Sequence, residues 1–284
     1  MPYLSFVVSA NNRGYEGNFL ERFQRELDTV YELAPRYGLD AEIVVVDWNT
    51  PKENTLVKDA ISWDKASIPT RVVRVTPEIH DSLPNPHGLN FFECIAKNTG
   101  VRRASGQFVA TINADSIYSP EMIQRLAKHD LDPGCFYRAN RLDVDSEGRL
   151  LRINTWKESF APDGRLFTDP PPFQYDFGTS PRLHFNASGE FTLMAHSEWV
   201  KIGAHPEVPY NCCVDGYMVY LAAKAGLRQM ILNEPIYHQE HPRHASGCLY
   251  RGYVPFWDDE QPYSPPAGPD FGLPDHDLEV ATIL

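Results

Sequence analysis

The sequence predicts an α/β fold built on a mostly parallel central sheet with helices on both faces, and three observations carry that prediction. Apolar, β-rich runs alternate with segments of helical periodicity up to residue 130, in the order β-α-β-α-β-α-β, which implies right-handed crossovers. The second run, "AEIVVVDWNTP", is continuously apolar, as a strand covered on both faces must be. Three of the four runs stop on polar clusters, at the end of a parallel sheet where loops diverge and helix N-termini point outward.

The first strand, "YLSFVVSA", ends at Ser9 and leads into "FLERFQRELDTVYELAPRYG", whose apolar residues recur at helical spacing and whose end is marked by Gly38. The second strand stops at Asp47 and is broken by Pro51, with a helix expected over 53–62. "TRVVRVT" is the third strand. A His/Pro/Asn loop and the helix "GLNFFECIAKNTGVRRAS" then lead to the fourth, "GQFVATIN". Beyond residue 130 the alternation fades into a turn-, proline- and aromatic-rich excursion, where Trp156, Phe160, Phe167, Phe173 and Tyr175 argue for order. Regular structure is expected again in "EFTLMAHSEWVKIG", a strand and short helix, and in "VDGYMVYLAAKAG", an amphipathic helix ended by Gly226. One domain is expected over 1–254, in halves 1–130 and 131–254. A proline-rich, acidic tail over 255–284 reads as an extended wrap or a partly disordered segment.

A chain of 284 residues can bury a substantial core. Its formal net charge of -12 and the lack of any long Lys/Arg run argue against nucleic acid or an anionic membrane as partner. The N-terminal apolar run is too short to span a bilayer and has no basic segment before it. No transmembrane segment or signal peptide is expected, and the reading is a soluble, cytoplasmic protein. The five cysteines (Cys94, Cys135, Cys212, Cys213 and Cys248) are odd in number and form no C-x-x-C pair, which suits reduced thiols.

The polar clusters are Ser9-Ala10-Asn11-Asn12, Asp47-Trp48-Asn49 and Asn113-Ala114-Asp115-Ser116. Helix capping explains each singly, as with Asp115 before the helix that starts near Pro120 and Asp47 before the second helix; the same role is open to Asp215 at the start of the helix over 215–225. Capping explains less well why two carboxylates and several amides collect along one edge, and the joint pattern points to a binding site. Arg102 and Arg103 either pair with a phosphate or lie on a solvated helix face. In "YHQEHPRHASG", His238, His241 and His244 are evenly spaced, but Pro242 breaks any helical register that would stack them on zinc, so a loop is expected.

Four stretches, in order, resemble the nucleotide-sugar-dependent glycosyltransferases of the GT-A fold, especially family two and its relatives. "IAKNTGVRRASGQFVATINADSIYSPEMI" is similar to the family's unit of Asn-x-Gly helix, strand, Asp-x-Asp-like metal motif and proline-started helix. "EIVVVDWNTP" is similar to its second strand and terminal Asp, "GEFTLMAHSEWVKIGAHPE" to its acceptor-side strand and helix, and "CVDGYMVYLAAKAGLR" to the segment with the catalytic carboxylate. The resemblance implies a Rossmann-like sheet whose 1–130 half binds the nucleotide sugar and whose 131–254 half is an acceptor-side extension. It places the donor nucleotide near Ser9, Ala10, Asn11, Asp47, Asn113 and Asp115. It puts a divalent cation, Mn²⁺ or Mg²⁺, on Asp115 with His238 preferred to His241 as the histidine partner, and makes Asp215 the general base of an inverting single displacement. The implied partners are a nucleoside-diphosphate sugar and a glycan or other hydroxyl acceptor. One departure stands out: Asn113 replaces the first Asp of the motif, bringing an oxygen but no charge, so weaker metal binding is expected.

Two other readings remain open. A sugar-phosphate nucleotidyltransferase shares the sheet, nucleotide and Mg²⁺, but "SANNRGYEGN" lacks the glycine-rich phosphate loop expected after its first strand. A noncatalytic nucleotide-sugar or glycan-binding module of the same fold is kept open by Asn113.

Overall fold

The computed structural model describes residues 1–14, 17–154, 159–160, 183–184, 187–209, 214–241 and 267–284. The four expected strands are present as β1 (Leu4–Ala10), β2 (Ala41–Trp48), β3 (Thr70–Val75) and β4 (Phe108–Asn113), all parallel in the spatial order β3-β2-β1-β4. Every residue of β1 and β2 is buried, the burial expected of strands covered on two faces. Alternate side chains serve alternate faces. Phe6 and Val8 join Phe23, Leu27 and Val30 of α1 (Phe19–Tyr37), while Val7 and Val46 join Ala96 and Val101 of α4 (Glu93–Arg103) on the other side. The glycine of the Asn-x-Gly motif permits that second contact, because a β-carbon on Gly100 would run into Val7.

Between these lie two short helices. α2 (Val57–Ala60) is shorter than the expected 53–62, since the chain first turns through Pro51–Asn54. α3 (Pro77–Ser82) falls in the expected loop. It starts on a proline after Thr76, whose hydroxyl accepts from the Ile79 amide.

The expectation that regular structure fades after residue 130 is corrected. After β5 (Ser116–Tyr118) and α5 (Pro120–Leu126), the chain forms the ten-residue strand β6 (Cys135–Val144), then β7 (Leu150–Asn154) and β8 (Ser159–Phe160). β9 (Phe191–Ala195), α6 (His196–Ile202), α7 (Val214–Lys224) and β10 (Arg228–Gln239) follow. With β11 (Glu279–Thr282), the sheet runs β11-β3-β2-β1-β4-β9-β6-β10-β5, with β7 and β8 extending from β6. β9 pairs antiparallel with both β4 and β6 and so joins the two halves. Helix α7 is not amphipathic: Val214, Gly216, Tyr217, Met218, Val219, Leu221 and Ala222 are all buried.

Residues 267–284 wrap back over the first half. β11 (Glu279–Thr282) adds antiparallel to β3, and Phe271, Leu273 and Leu278 are buried against the α4 face. Arg102 donates to the carbonyls of Phe271 and Pro269 and lies 4.4 Å over the Phe271 ring; Arg103 donates to the carbonyls of Gly272, Leu273 and His276. Both arginines therefore hold the tail to the body of the protein, neither lying free on a solvated helix face. The aromatic- and proline-rich stretch whose order was expected from Trp156 to Tyr175 lies largely outside the described residues, as do Cys212, Cys213, Cys248 and His244. Cys94 and Cys135 are buried free thiols.

Candidate active site at the carboxyl ends of the strands

Strand register brings the three polar clusters side by side, since Ser9 pairs with Asn113 and Ala10 with Asp47. Ser9 and Asn11 are both buried at this edge, 8% exposed. Asp47 has a structural occupation: the Thr50 hydroxyl donates to one oxygen, and the Val57 amide, at the start of α2, donates to the other at 3.0 Å. Burial pushes the Asp47 carboxyl upward, and these two bonds oppose the shift without cancelling it.

Asn113 is bonded from below. The Lys97 ammonium, fully buried on α4, donates to Asn113 Oδ1 at 2.7 Å, to Glu93 Oε1 at 2.6 Å and to the Gly189 carbonyl at 2.9 Å, which uses all three of its protons. Burial alone would pull the ammonium down, but Glu93 outweighs it and the net shift is upward. The neighbouring motif residue, Asn98, exchanges hydrogen bonds with the backbone of His205 and donates to Glu207, so it fixes the loop after α6.

Asp115 does not cap α5. Ser119 does, its hydroxyl accepting from the Met122 amide at 3.1 Å. Asp115 instead meets two histidines, with its Oδ2 3.2 Å from His241 Nε2 and 3.6 Å from His238 Nε2. One ligand atom from each of the three residues lies within 4.8 Å of the others. Burial raises the Asp115 carboxyl, but a hydrogen bond from His241 and the proximity of His238 outweigh it and hold the group low. Asp115 Oδ1 is buried without a hydrogen-bond partner, and an orphaned carboxylate oxygen beside two imidazoles fits a divalent cation. The loop expected around His238 is a strand: His238 lies on β10, paired with Ser116 of β5 and Asp143 of β6. His241, ranked second from sequence, belongs to the same cluster as His238.

Behind His238 stands a charge network that the sequence reading missed. His238 Nδ1 is 3.4 Å from Asp143 Oδ1; Arg141 Nε is 2.7 Å from that oxygen, and Arg141 NH1 donates to Glu190 at 2.5 Å. Burial pushes Glu190 up, but Arg141 outweighs it and the carboxyl falls to about 2. The fully buried Arg138 donates to the carbonyls of His184 and Ser188 and to Thr192, and burial lowers its guanidinium to about 10.

Asp215 stands in the first turn of α7, half-buried, and its Oδ2 accepts from the Ser188 hydroxyl at 2.8 Å. A β-carbon on Gly189 would lie 3.1 Å from Asp215 Oδ2, 3.3 Å from Asn113 Nδ2 and 3.3 Å from Glu93 Oε1. The expected base and the first position of the metal motif thus face each other across one glycine.

The family model for glycosyl transferase family 2 matches residues 87–191. Among solved structures, residues 1–349 of S. aureus TarS superimpose with a TM-score of 0.51 at 14% identity, covering 83% of this chain and 60% of that one. The chain has a family-two-like GT-A fold. It spans about 60% of the length of that TarS chain. No curated protein sequence matches it significantly. The matched stretch of the GT-A fold runs from the loop before α4 to the start of β9, so it contains Lys97, Asn113, Asp115, Asp143 and Glu190. Among the described residues, no helix is long and apolar enough to cross a membrane.

Proposed function

We propose that the protein is a glycosyltransferase that moves a sugar from a nucleoside-diphosphate sugar to a hydroxyl of an acceptor such as a glycan, inverting the anomeric centre in a single displacement. The observation that carries this reading is the approach of Asp215 to the Asn113–Asp115 motif across Gly189. A carboxylate on one side of a site and a cation-binding cluster on the other is the arrangement that a displacement with an anionic leaving group needs.

Asp115, His238 and His241 are the residues that would hold a divalent cation, which when bound neutralises charge on the diphosphate leaving group. Two imidazoles and one carboxylate favour Mn²⁺ over the harder Mg²⁺. Ser9, Ala10 and Asn11 line the nucleotide edge, with Asp47 beneath them. Asp47 spends its carboxylate on Thr50 and Val57, so its contribution to the nucleotide is to fix the shape of that edge. Asp215 takes the acceptor's hydroxyl proton as that oxygen bonds to the anomeric carbon, and the carbon–oxygen bond to the diphosphate breaks with its electron pair leaving on phosphate. Ser188 occupies Oδ2 of Asp215, which leaves Oδ1 to receive the proton.

The test is release of nucleoside diphosphate from a panel of donor sugars with Mn²⁺, using wild type and Asp215→Asn. The asparagine keeps shape and capping capacity but cannot accept the proton, so turnover should fall roughly a hundredfold to ten-thousandfold while folding and nucleotide binding persist. Near-normal turnover in a folded Asp215→Asn would remove Asp215 as base. A product with the donor's anomeric configuration would exclude single displacement. Nucleotide binding with no release from any donor would favour the noncatalytic module.

A further inference from the structure

The turn at residues 188–190 is tied at each of its three residues to a different part of the site. Ser188, 2% exposed, holds Asp215 Oδ2 through its hydroxyl. The Gly189 carbonyl accepts from Lys97, the ammonium that also holds Asn113. Glu190 binds Arg141, which binds Asp143, which lies beside the Nδ1 atom of His238. The turn itself is fixed from behind, since the Ser188 carbonyl accepts from Thr192 at 2.9 Å and from Arg138 at 3.5 Å. It is entered through Ala187 at φ 55, a left-handed conformation that a residue with a β-carbon adopts only under constraint.

Resting on the catalytic reading above, we propose that Ser188, Gly189 and Glu190 form a positioning brace that sets the general base and the cation-binding histidine relative to each other, Ser188 acting on Asp215 and Glu190 acting through Arg141 and Asp143 on His238. None of the three is a catalytic residue. A carboxylate beside the second ring nitrogen orients a metal-binding histidine, and partners of this kind govern metal affinity about 10–100-fold; here Asp143 Oδ1 approaches His238 Nδ1 to 3.4 Å as a charge contact, with Glu240 Oε2 at 3.7 Å. A hydroxyl on the far oxygen of a base fixes the direction in which the free oxygen faces, and small losses of aim are costly to a positioned proton transfer. The absence of a side chain at Gly189 follows from the same arrangement, because a methyl group there would crowd Asp215, Asn113 and Glu93 together.

The brace makes the two ends separable by experiment. In the full chain, Ser188→Ala should lower kcat about tenfold to a hundredfold while leaving donor KM and the affinity for Mn²⁺ alone within about twofold, and Ser188→Thr, which keeps the hydroxyl, should recover most of the loss. Glu190→Gln should weaken Mn²⁺ binding, read by the free-ion electron paramagnetic resonance signal, by about tenfold or more; Asp143→Asn interrupts the same line and replaces it if Glu190→Gln does not fold. Normal kcat in Ser188→Ala alongside an inactive Asp215→Asn would overturn the Ser188 arm while the catalytic reading stood. Wild-type Mn²⁺ affinity in both Glu190→Gln and Asp143→Asn would overturn the Glu190 arm. Turnover that survives Asp215→Asn, or a wild-type chain that binds no Mn²⁺, would sink the reading of the site itself and the corresponding arm with it.

Discussion

The Nζ atom of Lys97 lies 2.7 Å from Oδ1 of Asn113, so the amide at the first position of the metal motif is already committed to a buried ammonium. A lysine with no exposed surface survives only because every proton on it has an oxygen, and removing it would take that donor from the Asn113 oxygen and the Gly189 carbonyl. Lys97→Met should therefore destabilise the fold by ~1–3 kcal/mol in urea titration, the range for leaving buried acceptors without their donor. Asn113→Asp, which gives the ammonium a charged acceptor, should fold with a much smaller change. A Lys97→Met variant as stable as wild type would show that the ammonium is not needed where it sits.

Metal response provides the next expectation. Mn²⁺ with a nucleoside diphosphate should raise the melting temperature by mass action, and more so than Mg²⁺, because two of the three converging side chains are imidazoles. Asp115→Ala should abolish most of the Mn²⁺-dependent part, and His238→Ala and His241→Ala should each reduce it. An unaltered Mn²⁺ shift in Asp115→Ala would place the ion elsewhere.

His205 supplies an acid-sensitive term. It is buried against Trp199 with both ring nitrogens unpartnered, and burial, with Lys97 nearby, lowers its imidazole to about 3. In the unfolded chain it titrates near ~6.5. Below that value the unfolded state takes up a proton that the folded state refuses. The stability is thus complete above about pH 6.5 and drains away as pH falls toward 3. His205→Phe removes the term, so between pH 7.5 and pH 5 it should lose ~2 kcal/mol less than wild type in matched denaturant titrations. Parallel losses in the two proteins would refute the assignment.

The tail yields a sharper structural test. Gly272 has φ +70, and a β-carbon there would lie 2.7 Å from the carbonyl carbon of Asn98 in α4. Gly272→Ala combines left-handed strain with a collision against backbone, and should cost ~2–4 kcal/mol. If thermal unfolding of this variant matches wild type, residues 267–284 do not seat on α4 in solution as described.

What could be read from the sequence, and what could not, divides along one physical line. β1 to β4 announce themselves because their neighbours on both faces are apolar helices, so burial is written in consecutive residues such as Ile43-Val44-Val45-Val46. β6 is just as regular but carries Arg138, Arg141 and Asp143 in its interior, and reads as a loop. The two arginines are acceptable because partners from residues 184–192, about fifty positions away, close on them, and Asp143 because Arg141 and His238 lie against it. The same holds at the site. Asp115 is singled out by its place at a strand end and His238 by resemblance, whereas nothing local to His241 tells that it joins them, because the three meet only where β10 pairs with β5. The capping explanation for Asp47 finds support, since its carboxylate accepts from Thr50 and from the Val57 amide at the start of α2.

The pairing of Arg74 with Glu279 joins positions 205 residues apart and seals the outer edge of β3. During synthesis at about 5–20 residues per second, β3 is complete roughly 10–40 s before its partner strand exists. Throughout that interval the nascent sheet presents an unpaired row of backbone donors and acceptors, the form in which a strand recruits the wrong neighbour. Arg74 lies on that open row with its partner Glu279 not yet made, and its charge would discourage adhesion between chains emerging side by side on one messenger until β11 arrives to cover it.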